Sequence, residues 1–264
     1  MIAAARLRRA QTKAESARPY AERLFQVLKD VVASSGGAAR HPLMAQREVR
    51  NVALILVTAD RGLCGAFNAS VIREAQQFLI DQTVPVELIT VGRKGRDYFQ
   101  RLGYTISQHF PQPSRDVRLE EVGMISKKIV SDYGAAKYDQ VYLAYAKFVS
   151  VLKSEPTLTQ LLPLGQGENA DGGPQTPYQF EPVAEELLDT LLPQYVEALM
   201  YRALVEVLAS EQAARMIAMK AATDSASDMI TRLTREYNGA RQSSITKALL
   251  EVVAGADALA KQNR

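Results

Sequence analysis

Thr58, Asp60 and Arg61 follow directly on the apolar run Val52–Val57, and Gly62 and Gly65 come next in "LVTADRGLCGAFN" (56–68). A hydrophobic strand that runs into a glycine loop and then a helix is a common way to hold a phosphate. Backbone N–H groups and a helix N terminus both favour an anion there. These residues fall short of that chemistry. A nucleotide P-loop needs G-x-x-x-x-G-K-[ST], whereas the glycines here are spaced G-x-x-G with no lysine after them. A dinucleotide fingerprint needs three glycines, G-x-G-x-x-G. The second candidate, "VGRKG" (91–95), lacks the closing Ser or Thr. The residues favour a tight turn that lets a helix pack close to a strand end. Asp60 is placed to cap that turn, and Arg61 to pair with Asp60 or face a partner.

Other chemistry is scarce. Among 264 residues there are two histidines, His41 and His109, and one cysteine, Cys64. They form no recognisable zinc spacing, and no disulfide framework exists, which favours a reducing compartment. A Ser-His-Asp arrangement stays open on sequence alone. Both histidines lie beside prolines, however, so each is expected in a loop with a surface or turn role. The formal charge of +3 is too small to argue for nucleic acid. "MIAAARLRRAQ" lacks the apolar core of a signal peptide. No apolar run approaches the roughly 18 to 20 residues that span a bilayer. The expectation is a soluble chain, or one held to a membrane only through partners.

The elements that would position these residues read as helix, α/β region, helix. Leu7, Ala10, Ala14, Ala17, Ala21, Leu24, Leu28 and Val31 step by alternating threes and fours, a heptad seam. Pro19 interrupts it, which predicts a bend rather than a stop. The middle alternates: strands at 52–57, 85–92 and 139–149, helices at 67–80, 93–103 and 118–137. That predicts a parallel or mixed sheet covered by helices. Residues 164–177 form a polar, Gly- and Pro-rich loop. From Val183 the pattern is helical again, with Pro193 expected in the first turn of the main helix. Met219, Ala222, Ala226, Met229 and Leu233 make one seam; Ile245, Leu249, Val252, Ala256 and Leu259 make another, out of phase with it. A helix over 194–260 would be about 100 Å long. No sheet domain of this size covers that length, so the N-terminal heptads are its expected mate.

Three readings then stand: a phosphate-binding α/β enzyme with a helical appendage, a passive coiled-coil scaffold, and a mechanical shaft with a globular foot. The last helix separates them. "LASEQAARMIAMKAATDSASDMI" (208–230) followed by "YNGARQSSIT" (237–246) closely resembles the γ subunit of F-type ATP synthases, as does "TADRGLCGAFN". "AAARLRRAQ", "RPYAE", "PTLTQLLPL" and "LLDTLLPQYVE" are similar to it as well, so the resemblance runs through essentially the whole chain in order.

The resemblance implies a Rossmann-like α/β domain (51–182) inserted between N-terminal (1–50) and C-terminal (183–264) helices that form an antiparallel coiled coil. It implies a rotor shaft inside an alpha3beta3 hexamer that carries the catalytic sites, with the foot beside the epsilon subunit and on the c-ring. Proton-driven rotation of the ring would turn the shaft, and the shaft would drive ATP synthesis at the beta subunits. The subunit itself would be non-catalytic and without cofactor. It would be peripheral, at the cytoplasmic face of the bacterial plasma membrane. The alternative is a scaffold that keeps this fold without torque coupling.

Residue by residue, the resemblance implies beta-subunit contacts for Arg215, Arg241, Gln242 and Thr246. Guanidinium forks suit such contacts because they hold carboxylates bidentately. Tyr178 and Glu181 match the foot region that meets the c-ring. For Arg6, Arg8, Arg9 and Lys13 a solvated helix face competes. The chain also departs from the family. Family chains begin with a further basic helical stretch of about twenty residues, so a fragment or a misplaced start codon is expected. Ala248 stands where the family commonly has glutamate. The chloroplast form carries a regulatory cysteine pair on an insert; with Cys64 alone, thiol control is not expected and a bacterial type is.

Overall fold

The computed structural model describes residues 2–34, 41–113, 116–164 and 184–262. Its centre is β1 (Val52–Val57), buried at all six positions. Such a run of Val, Leu, Ile and Ala is what a parallel strand covered on both faces requires. β1 lies parallel to β2 (Val86–Val91) on one side and to β4 (Gln140–Phe148) on the other. β3 (Ile106–Phe110) is parallel to β2, and β5 (Ser154–Leu162) is antiparallel to β4. The sheet order is β3-β2-β1-β4-β5.

The helices are α1 (Ile2–Ser34), α2 (Phe67–Asp81), α3 (Arg93–Arg101), α4 (Leu119–Gly134) and α5 (Ala184–Gln262). Strand order runs outward from β1 to β3, then returns past β1 to β4. Right-handed crossovers therefore put α2 and α3 on one face and α4 on the other. α2 rests on the sheet through Phe78, whose ring lies 4.8 Å from that of Tyr142 on β4.

Two strands were not foreseen. β3 is a short, half-buried edge strand with weak alternation, and the prolines after it suggested a loop for His109. His109 instead lies on β3, its Nδ1 3.1 Å from Thr90 Oγ1. β5 carries Pro156, tolerated because β5 is an edge strand.

α1 continues through Pro19, so the proline is not a stop. Its seam residues Leu7, Ala10, Ala14, Ala21, Leu24, Leu28 and Val31 are buried. The pairing with α5 is antiparallel: Phe25 stacks on Tyr195 at 5.6 Å between ring centres, while Ala21 and Leu24 cluster with Ala198. This register corrects the expected mate. Moving four residues back along α1, from Phe25 to Ala21, moves three forward along α5, from Tyr195 to Ala198. α1 therefore pairs with the stretch of α5 that precedes Ile217. Residues 219–256, with Met219, Met229, Leu233, Ile245, Leu249 and Val252 of the two predicted seams, are exposed. Pro193 is also displaced from its expected place. α5 starts nine residues earlier, at Ala184, and takes the proline into its interior.

The chain forms two compact units, Met1–Ile217 and Ala218–Arg264. The first holds the sheet, α1 to α4 and the buried part of α5; the second is the remainder of α5.

Candidate functional site

At the carboxyl end of β1 the chain supplies its own anion. The first three N–H groups of α3 all have intrachain acceptors: Arg93 N–H donates to Asp60 Oδ1 at 2.9 Å, Lys94 N–H to Ala59 O at 3.1 Å, and Gly95 N–H to Thr58 Oγ1 at 2.9 Å. These are the donors a phosphate would use. Asp60 was expected to cap its own turn; it caps α3 instead, and its charge suits the positive end of that helix. Its nearest cation is Arg93, with Nε at 4.0 Å; Arg61 is exposed.

The glycines divide by role. Gly92 has φ +91°, and a Cβ there would lie 2.0 Å from Thr58 O; one at Gly95 would lie 2.8 Å from Leu56 Cδ2. Close packing of helix on strand end is therefore the business of "VGRKG". In the first loop Gly65 takes φ +56°, a left-handed conformation that favours glycine, with nothing near it, and Gly62 has only Lys94 Cε at 4.0 Å. Loop and helix are held by Asn68, whose Oδ1 accepts the Ala59 N–H at 2.8 Å and whose Nδ2 reaches Cys64 Sγ at 3.2 Å. Burial pushes the Cys64 thiol up, with Arg215 partly opposing this. A buried thiol with a raised pKa is inert.

In a doubly wound sheet a ligand binds where the strand order reverses, at the carboxyl ends of the strands. Here that place, between β1 and β4, is taken by α5. Ser210 Oγ donates to Ala146 O of β4 at 3.2 Å, and Arg215 Nη2 donates to Gly62 O at 3.3 Å. Gln112, Glu211 and Arg215 complete the contact through charge-assisted bonds. Sequence reasoning missed Gln112 and Glu211. The available signal was polar Glu206, Ser210, Glu211 and Gln212 inside the apolar run 203–214.

Arg241, Gln242 and Thr246 are exposed, all on the second unit. Arg215 is largely buried, its side chain 18% exposed, and its Nη2 is shared between Glu211 at 2.5 Å and the Gly62 carbonyl. Tyr178 and Glu181 lie outside the described residues. In the basic group, Lys13 pairs with Asp116, while Arg8 and Arg9 are exposed. Both histidines have partners. His41 Nδ1 accepts the Leu43 N–H at 3.1 Å and its Nε2 lies 3.3 Å from Asp189 Oδ1. Among the described residues no group of three or more metal-ligating side chains comes together, and no helix is long and apolar enough to cross a membrane.

A family model described as ATP synthase matches residues 1–259. The ATP synthase gamma chain of Pelotomaculum thermopropionicum is 46% identical over 258 residues, covering 98% of this chain and 90% of that one. That of Heliobacterium modesticaldum is 46% identical over 266 residues, covering 98% and 91%. Among solved structures, a chain of the Euglena gracilis mitochondrial ATP synthase (OSCP/F1/c-ring, rotational state 3) aligns with a TM-score of 0.65 at 16% identity, covering 98% of this chain and 96% of that chain. A chain of the Tetrahymena thermophila mitochondrial ATP synthase central stalk and c-ring aligns with a TM-score of 0.59 at 22% identity, covering 84% and 100%. At those identities the structural likeness speaks for the fold.

Proposed function

This chain belongs to the ATP synthase gamma-chain family, and we propose on that premise that α5 beyond Ile217 is the surface that works on beta subunits. The chain is the non-catalytic rotor subunit that couples rotation to ATP synthesis. The observation that carries the finer reading is the state of residues 219–256. Every one is exposed, although Met229, Ile230, Leu233, Ile245, Leu249, Leu250, Val252 and Val253 are large and apolar. Soluble chains rarely leave so many large apolar side chains along one helix in water without a partner. An alpha3beta3 hexamer closed around this stretch would cover it.

Within that surface Arg241, Gln242 and Thr246 are the beta-subunit contacts. Their exposure leaves all their donors and acceptors available. At Arg215 a beta contact would use the guanidinium donors other than Nη2. Tyr178 and Glu181 belong to the foot that meets the c-ring, beside the epsilon subunit. The chain is associated with the membrane peripherally; in a bacterium the c-ring would hold the foot at the cytoplasmic face of the plasma membrane.

Reconstitution with Arg241→Ala and Gln242→Ala tests this. Exposed substitutions typically change stability by within about 0.5 kcal/mol, so the variant folds and assembles. A charged hydrogen bond is worth about 1.5 to 3 kcal/mol, so ATP-driven ion pumping falls. Unchanged pumping by the assembled double variant would remove both residues from the mechanism. Assembly of the wild-type chain without any ion-driven synthesis would favour the scaffold.

A further inference from the structure

Glu206, Ser210, Glu211 and Gln212 are each no more than 5% exposed, in a stretch of α5 that is otherwise apolar. Burying polar groups costs free energy unless each finds a partner. The partners of Glu211 come from two directions. Its Oε2 accepts from Gln112 Nε2 at 2.6 Å, and its Oε1 from Arg215 Nη2 at 2.5 Å. Gln112, itself 8% exposed, accepts the Asp60 N–H on its Oε1 at 2.9 Å. Arg215 reaches on to Gly62 O at 3.3 Å. The ring therefore closes. The glycine loop is tied to α5 at Asp60 through Gln112 and Glu211, and at Gly62 through Arg215.

We propose that this ring locks the rotation of α5 about its own axis relative to the α/β domain, with Gln112 and Glu211 as positioning residues for torque transfer. Apolar contact is non-directional and resists separation more than sliding. Hydrogen bonds to charged groups are short and angle-dependent, so they fix azimuth as well as distance. The ring sits in the last two turns of α5 before Ile217. It engages the carboxyl end of the sheet, where related folds keep a ligand. The glycine loop, freed from phosphate binding, serves as the socket for the shaft.

The proposal rests on the shaft reading, and one assay separates the two. In assembled complexes with the hexamer immobilised, a bead on the α/β domain reports the angular variance of the domain at each dwell. Gln112→Leu and Glu211→Leu should widen that variance. Glu211→Gln, which keeps one acceptor oxygen but turns an NH2 toward the second donor, should fall between Glu211→Leu and the wild type. Tyr98→Phe, which removes a bond to Gln76 inside the α/β domain, should leave it unchanged. Should Gln112→Leu fail to assemble, Gln112→Asn takes its place: it keeps the amide and is one methylene too short. Unchanged variance in the ring variants, or equal widening in Tyr98→Phe, overturns the lock while the rotor reading stands. A wild-type bead that does not turn under ATP overturns both.

Discussion

Asp60 Oδ1 lies 2.9 Å from the backbone nitrogen of Arg93, at the N terminus of α3. A carboxylate of the chain thus occupies the ground a phosphate would take. The isolated chain should accordingly show no one-to-one micromolar ATP binding in calorimetry. Removing the cap with Asp60→Ala should lower stability by about 0.5 to 2 kcal/mol, read from denaturant midpoints, without creating ATP binding. Saturable ATP binding by the wild-type chain would revive the glycine-loop enzyme.

Acid should weaken the fold around its two histidines. Burial holds His41 below the usual value of 6.5, with Asp189 partly opposing; burial and Arg96 lower His109 in the same direction. With the folded value below the unfolded one, the unfolded chain binds more protons as pH falls from 6.5. Stability is full above 6.5 and is lost as pH drops toward the folded values. A second proton on His41 would also break its Nδ1 bond with the Leu43 N–H. Denaturant midpoints between pH 8 and 5 should fall more steeply for wild type than for His41→Gln with His109→Gln. Equal slopes would mean that neither imidazole is linked to folding.

The Phe25–Tyr195 stack fixes the register of the coiled coil. Extending it toward Ala5 places that residue level with the turn before Ile217. Thr190 is then about 40 Å further along α5, at 1.5 Å per residue. Spin labels at Ala5 and Ile217 should lie much closer together than labels at Ala5 and Thr190. The opposite order would mean a parallel or unpaired arrangement.

The sequence exposed β1, β2, β4 and all five helices because their patterns are local: apolar runs, a heptad seam, terminating glycines. β3 and β5 escaped because edge strands carry weak alternation, and Pro111, just after β3, read as a loop signal. The seam of α1 was legible but its register was not. Heptads say which face is buried and not which turn of α5 faces it; the Phe25 and Tyr195 rings decide that. Glycine spacing alone spoke against a phosphate loop. The physical cause was hidden, since Asp60, Gln112 and Glu211 are brought together only by the fold. The two partners of Arg215 Nη2, the Glu211 carboxylate and the Gly62 carbonyl, were hidden for the same reason.

Rotation itself is the most direct test that this chain is a shaft. Leu152, at the turn between β4 and β5, is 85% exposed, and Cys64 is 1% exposed. A cysteine introduced at Leu152 should therefore take a bead selectively. With the hexamer of alpha and beta subunits fixed to a surface and ATP supplied, the bead should turn stepwise in one direction. A complex that hydrolyses ATP at its normal rate while the bead only diffuses about a fixed angle would contradict the account.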